Sequence, residues 1–307
     1  MAYKILGFLV VRWVINSRLG TLANIMRTPL GSVNANFFLE TTQTESVITF
    51  FLQEDIFQLT SCFCLMQFLT TNQLPSPILY CYDVMTSAVW KHNLVSIVTK
   101  LVGSDEVGVG IKGMRDVGRM LSAVHLVGLK GRLFHSQTND ATLIQFNVQN
   151  SIQHLPMRER CALELKFTNL LFQTELGLKE KMRSGLCHCD LFSDNLTFKS
   201  MASRLTNRLV GCLDFYFSGL EAFIIDIGIA AVASALGGGR LLKTKAGGLL
   251  HSYQTVRPFG LRERRFWKAA LQLSSFKFWA LRLFRFYKLK TLGLLNTYDP
   301  KILESNF

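Results

Sequence analysis

Along the first hundred residues the apolar positions fall in short runs, and after Gly103 they fall at helical spacing. Residues 36–53, NFFLETTQTESVITFFLQ, read as two strands around a polar turn, because both flanks are rich in Phe, Thr, Val and Ile. From Asp55 to Thr71, Ile56, Leu59, Phe63, Met66 and Leu69 recur with the period of a helix, which Pro75 and Pro77 end. Residues 78–82 and 95–101 predict further strands, with a turn over 85–92. Beyond the seam, helical patterns cover 117–126, 157–182, 220–236 and 261–289, and only 195–198 and 209–215 read as strands. The expectation is an α+β chain in two pieces: a small β-rich lobe over 1–101 and a larger, mainly helical lobe over 102–307.

Composition narrows the class. Hydrophobic residues make up 49% of the chain and Phe occurs 24 times, enough for a sizeable core. The most apolar stretch, Leu220 to Leu236, carries Glu221 and Asp226, and the N-terminal apolar patch is broken by Arg12. Neither reads as a membrane span or a signal peptide, so a cytoplasmic protein without a membrane partner is expected. The net charge of +13 points to anionic partners. The basic residues between Arg257 and Lys290 are interleaved with Phe266, Trp267, Phe276 and Trp279, the texture of a core-facing helix with a solvated basic face. Nucleic acid is therefore not the expected partner.

The stretch 187–195, CHCDLFSDN, carries the chemistry and admits two readings. Cys-His-Cys suggests metal ligands, but the cysteine pairs here, 62/64 and 187/189, have one intervening residue, which strains a tetrahedral chelate. The seven cysteines are expected to be reduced and mostly buried. The other reading is phosphoryl transfer, which needs a carboxylate to orient an acceptor hydroxyl and oxygen ligands to hold Mg²⁺ on the phosphates. His188, Asp190 and Asn195 form His-x-Asp-x-x-x-x-Asn, and the hairpin pattern of 195–215 then delivers Asp214. His188 also reads as a structural histidine, Asp194 as a loop cap, and Asp226 either as a helix N-cap or as a brace for the loop.

GLCHCDLFSDNLTF and LVGCLDFYFSGLEAFIIDIGIA resemble the bacterial homoserine kinase family of the aminoglycoside phosphotransferase-like, protein-kinase-like superfamily. The Asp-Phe-Tyr-Phe at 214–217 is the most distinctive part. GSVNANFFLETTQTESVITFF, VSIVTKLVG, VGRMLSAVHLVG and VRPFGLRERRFW are similar to further family segments, so the likeness spans roughly 30–300.

The resemblance implies a two-lobed protein-kinase-like fold and a kinase using ATP and Mg²⁺ to phosphorylate L-homoserine in threonine biosynthesis. It implies Asp190 as catalytic base and His188 as a catalytic residue beside it, and Asn195 and Asp214 as Mg²⁺ ligands. Gly31, Asn34 and Asn36 would form the turn over the phosphates, and Val98, Lys100 and Leu101 would line the adenine pocket. The chain also departs from the pattern. Val33 replaces the usual Glu, Arg285 an Asp, and Thr49 holds the strand position where many kinases carry lysine. Two alternatives stay open: a kinase of the same fold acting on another amino alcohol or sugar, and a catalytically weak member that binds nucleotide or RNA.

Overall fold

The computed structural model describes residues 10–11, 13–28, 34–51, 56–86, 91–103, 110–129, 157, 160–161, 164–170, 172, 182–200, 207–237 and 240–291. The chain divides into two compact units, Met1–Gly103 with Val210–Tyr216, and Ser104–Leu209 with Phe217–Phe307.

The smaller unit is built on five antiparallel strands, β1 (Leu22–Arg27), β2 (Ala35–Thr41), β3 (Glu45–Phe50), β4 (Leu79–Thr86) and β5 (Lys91–Thr99), in the order β1-β2-β3-β5-β4. Alternation along the strands sends Leu39, Ile48, Phe50, Val95 and Ile97 to one face, where they pack with Val10, Val14 and Leu19. The polar centre of 36–53 is a turn for a visible reason. The Thr41 hydroxyl accepts the N–H groups of Gln43 and Thr44 and donates to the Leu19 carbonyl, so the turn is capped and tied to the core edge. Helix α1 (Ile56–Thr71) buries Leu59, Phe63, Met66 and Leu69 of the stripe its spacing predicts, and Cys62 and Leu65 besides, while the side chain of Ile56 lies outside the described set. Strands β4 and β5 run further toward each other than the sequence suggested, leaving only 87–90 between them.

The larger unit is mainly helical. Its helices include α2 (Ile111–Gly128), α3 (Phe223–Ala235), α4 (Lys243–Val256) and α5 (Leu261–Thr291); between α2 and α3, β6 (Ser184–Cys187) pairs with β9 (Gly219–Ala222), and β7 (Leu196–Ser200) with β8 (Asn207–Cys212), whose last three residues count with the smaller unit. From Phe223 to Val232 every residue of α3 is buried, as expected of a helix that is apolar all round but for Asp226. Two glycines allow helices of this unit to approach closely. A Cβ on Gly118 of α2 would collide with the Leu249 carbonyl and Ser252 hydroxyl of α4, and one on Gly228 of α3 would lie 2.8 Å from Ser274 Oγ of α5. Among the described residues no helix is long and apolar enough to cross a membrane.

Among the described residues several elements differ from the sequence expectation. β1, β6 and β9 were not anticipated, and β9 takes Leu220 to Ala222 from the predicted helix, which begins at Phe223. Four-residue strands such as SGLC and GLEA are too short to show a period. Helix α4, KTKAGGLLHSYQTV, was also missed, because its buried face is Ala246, Gly248, Leu249, Ser252 and Tyr253, mostly small or polar residues. Of the predicted helix over 157–182, the described residues between 157 and 172 are helical and most of the rest lie outside the described set.

Candidate active site

The loop that follows β6 is held by backbone and side-chain bonds at nearly every residue. β6 ends at Cys187, opposite Gly219 of β9, and α3 follows β9 directly with Asp226 in its first turn. Asp226 is fully buried, and its carboxylate faces the loop: Oδ2 accepts the His188 N–H at 3.1 Å and Oδ1 the Cys189 N–H at 2.8 Å. Of the two sequence readings of Asp226, the structure shows the brace. Asp190 comes next. Its N–H donates to His188 Nδ1 at 3.3 Å, and its carbonyl accepts from the Phe192 N–H at 2.9 Å and from Asn195 Nδ2 at 2.8 Å. His188 is buried and its ring shapes the loop from inside. Asp194 lies exposed, accepting from the Ser193 hydroxyl within the short 3-10 turn Ser193–Asn195.

Cys189 and Asp214 both have positive φ, +62° and +61°. For a residue with a Cβ this left-handed conformation costs on the order of 1 kcal/mol or more and persists only where surrounding bonds fix it. The two thiols of the CHC stretch are fully buried and pack with Phe223. Burial pushes the Cys187 thiol well above its ordinary range, and its Sγ donates to the Glu221 carbonyl. Cys187, His125 and Asp226 do bring ligand-type atoms within 4.8 Å of one another. Both nitrogens of His125 are engaged in hydrogen bonds, to the Tyr253 hydroxyl and to Asp226.

Behind Asp226 runs a buried chain that the sequence did not reveal. His125 Nε2 meets Asp226 Oδ2 at 2.8 Å, and His125 Nδ1 meets the Tyr253 hydroxyl at 2.6 Å. Arg257 donates to that hydroxyl at 2.9 Å and to Glu263 Oε1 at 2.6 Å, and Glu263 Oε2 also accepts from Arg183 and from the Gly260 N–H. Phe223 lies between His125, stacked at 4.4 Å, and the Arg257 guanidinium at 4.5 Å. One assignment of protons satisfies every contact: Arg257 donates to Tyr253, Tyr253 donates to Nδ1 of a neutral His125, and Nε2–H donates to Asp226. Burial, with Arg257 adding to it, holds the His125 imidazole below its ordinary value against the pull of Asp226.

This predicts a pH dependence of stability. The unfolded chain protonates His125 as pH falls through its ordinary value of 6.5, while the folded chain resists, so stability drops on the acid side of that value. Asp226 and Glu263 are also depressed, although burial alone would raise both, because hydrogen bonds from His125 and Arg257 outweigh it. What they contribute is lost at lower pH, below the ordinary carboxylate range. Stability should therefore decline from pH 7 to 5, by at most about 1.4 kcal/mol per pH unit for one group, with Tm falling alongside, and His125→Gln should flatten that limb. Equal slopes in the two proteins would refute the assignment.

The remaining sequence-predicted residues fall as follows. Asn195 spends its Nδ2 on the loop, so its amide oxygen is the end that suits a hard cation, and Asp214, in the smaller unit, is a half-buried carboxylate. Oxygen donors of these types fit Mg²⁺. Gly31 lies outside the described residues; Asn34 and Asn36 follow it in the chain, and the Asn36 carbonyl accepts the Thr28 N–H at 3.0 Å. Val98 sits in β5 between Val47 and Leu79. Lys100 gives its N–H to the Glu45 carbonyl and its ammonium to Glu45 Oε2 at 2.8 Å, and Leu101 is half-buried beside Gly211.

Known proteins share both this fold and much of this sequence. The model of the phosphotransferase enzyme family matches residues 26–267. Homoserine kinase of Burkholderia vietnamiensis is 32% identical over 300 residues, covering 96% of this chain and 90% of that protein. A microcompartment-associated aminopropanol kinase superposes with a TM-score of 0.70 at 14% identity, covering 94% of this chain and 99% of that one. An amicoumacin kinase solved with AMP-PNP and Ca²⁺ gives a TM-score of 0.66 at 12% identity, covering 92% and 86%. At such identities the two structures establish the kinase-like fold alone. The sequence matches, which run through the braced loop and nearly the whole chain, establish more: this chain belongs to the phosphotransferase enzyme family, with bacterial homoserine kinases among its relatives.

Proposed function

We propose that the chain is a cytoplasmic, ATP- and Mg²⁺-dependent kinase that phosphorylates the side-chain hydroxyl of L-homoserine, giving O-phospho-L-homoserine on the route to threonine. The observation that carries this reading is the 32% identity along 96% of the chain to proteins named for that reaction. The loop geometry is consistent with it, because Asp190 sits in a segment whose backbone is fixed on both sides.

In this reading Asp190 orients the homoserine hydroxyl and accepts its proton as the new O–P bond forms and the bond from phosphorus to ADP breaks. Asn195 and Asp214 supply oxygen ligands for Mg²⁺. The bound ion would offset charge on the transferring phosphoryl group.

The test is ADP release with Mg·ATP and L-homoserine, run beside L-serine, L-threonine and choline. Homoserine-dependent turnover well above the other three is the expected result. Equal or faster turnover on another of them assigns a different amino alcohol, and turnover on none removes the reading.

A further inference from the structure

Cys189 immediately precedes Asp190 and holds φ at +62°. A side chain makes that conformation unfavourable, so the peptide groups on either side swing away from it unless they are held. The N–H side is held by Asp226 Oδ1 at 2.8 Å. The carbonyl side is held by a residue with no role so far: Lys277 of α5 places its Nζ 3.0 Å from Cys189 O. The other end of that second peptide group, the Asp190 N–H, rests on His188 Nδ1.

Lys277 is only 3% exposed and lies between the buried Phe276 and Trp279. Its sequence context, FKFW, reads as a solvated basic position on an amphipathic helix. Desolvating an ammonium is costly, and lysine is seldom buried without a polar partner to compensate. An apolar residue would serve packing better at this place. What an apolar residue cannot do is donate a charge-assisted hydrogen bond to the carbonyl beside Asp190.

We propose that Lys277 is a positioning residue for phosphoryl transfer: its ammonium and the Asp226 carboxylate clamp the two peptide groups of Cys189, hold that residue left-handed, and thereby set the direction in which Asp190 meets the substrate hydroxyl. The inference rests on the reading of Asp190 as the base. It differs from a packing or general charge role in one consequence. Glycine adopts positive φ without a steric cost, so a loop with glycine at 189 needs the clamp less.

The experiment is a double-mutant cycle on the full chain with Lys277→Met and Cys189→Gly, with Lys277→Arg as the conservative variant. Lys277→Met is expected to lower kcat about tenfold or more while leaving KM for ATP within about twofold, the signature of an interaction used in the reacting complex. Lys277→Arg keeps a donor and a charge and should retain at least about a third of kcat. In the Cys189→Gly background the same Lys277→Met change should cost less than about threefold. A Lys277→Met enzyme with wild-type kcat, or the same loss in both backgrounds, overturns the inference while homoserine turnover by the parent enzyme keeps the functional reading. If the parent shows no turnover, the functional reading falls and the clamp is judged by amide exchange of the 187–195 loop. Exchange faster in Lys277→Met than in the parent, with the difference reduced in the glycine background, supports the clamp, and unchanged exchange overturns it. Should the methionine variant not fold, Lys277→Gln, an uncharged donor, takes its place in the cycle.

Discussion

Asp190→Asn should lower kcat for homoserine phosphorylation by about 10²–10⁴-fold, the reach of a positioned general base, with little change in Tm or in KM for ATP. The substitution keeps the volume of the side chain and removes its ability to accept a proton. The backbone of Asp190 makes three of the bonds that shape the loop, its N–H on His188 and its carbonyl on the Phe192 N–H and Asn195 Nδ2, and the substitution leaves these groups in place. A parallel measurement of Tm therefore separates loss of chemistry from loss of fold. A kcat within about threefold of wild type would show that the hydroxyl proton leaves by another path and would remove Asp190 from the base role.

How much of this site was readable from the chain depends on how its parts are spaced. His188, Asp190 and Asn195 lie within one loop, and Asp214 follows a hairpin, so local spacing and strand pattern were enough to bring them forward. The chain of groups behind the loop was not readable for the opposite reason. His125 and Asp226 are separated by 101 positions and His125 and Tyr253 by 128, and each sits at helical spacing where it passes for an ordinary packing or capping residue. The basic stretch from Arg257 to Lys290 shows the same limit. It presents the expected solvated face at Arg262, Arg264, Arg265 and Lys268, yet Arg257 and Lys277 are both buried, drawn in by Glu263 and by the Cys189 carbonyl. A sequence pattern reports average burial of a residue type, and a buried cation is an exception that only its partner explains.

Asp226→Asn should cost about 2–4 kcal/mol of stability, the range for leaving a buried donor or charge partner unsatisfied, and lower kcat about tenfold or more through the loop. The argument is one of donors and acceptors. Asp226 receives the N–H groups of His188 and Cys189 and the Nε2–H of His125, and it has no donor to offer. An asparagine has one accepting oxygen, so its NH₂ group must face a donor. Placed toward Cys189, it abandons the N–H that fixes the positive φ at that residue. Placed toward His125, it obliges the ring to change tautomer, and Nδ1–H then competes with Arg257 for the oxygen of Tyr253. No orientation satisfies all the groups. Because the loss passes through Cys189 and not through nucleotide contacts, KM for ATP should move less than kcat. A variant with unchanged Tm and kcat would mean that the carboxylate is not what holds the loop, and the bracing role would have to pass to the remaining hydrogen bonds of Asp190 and His188.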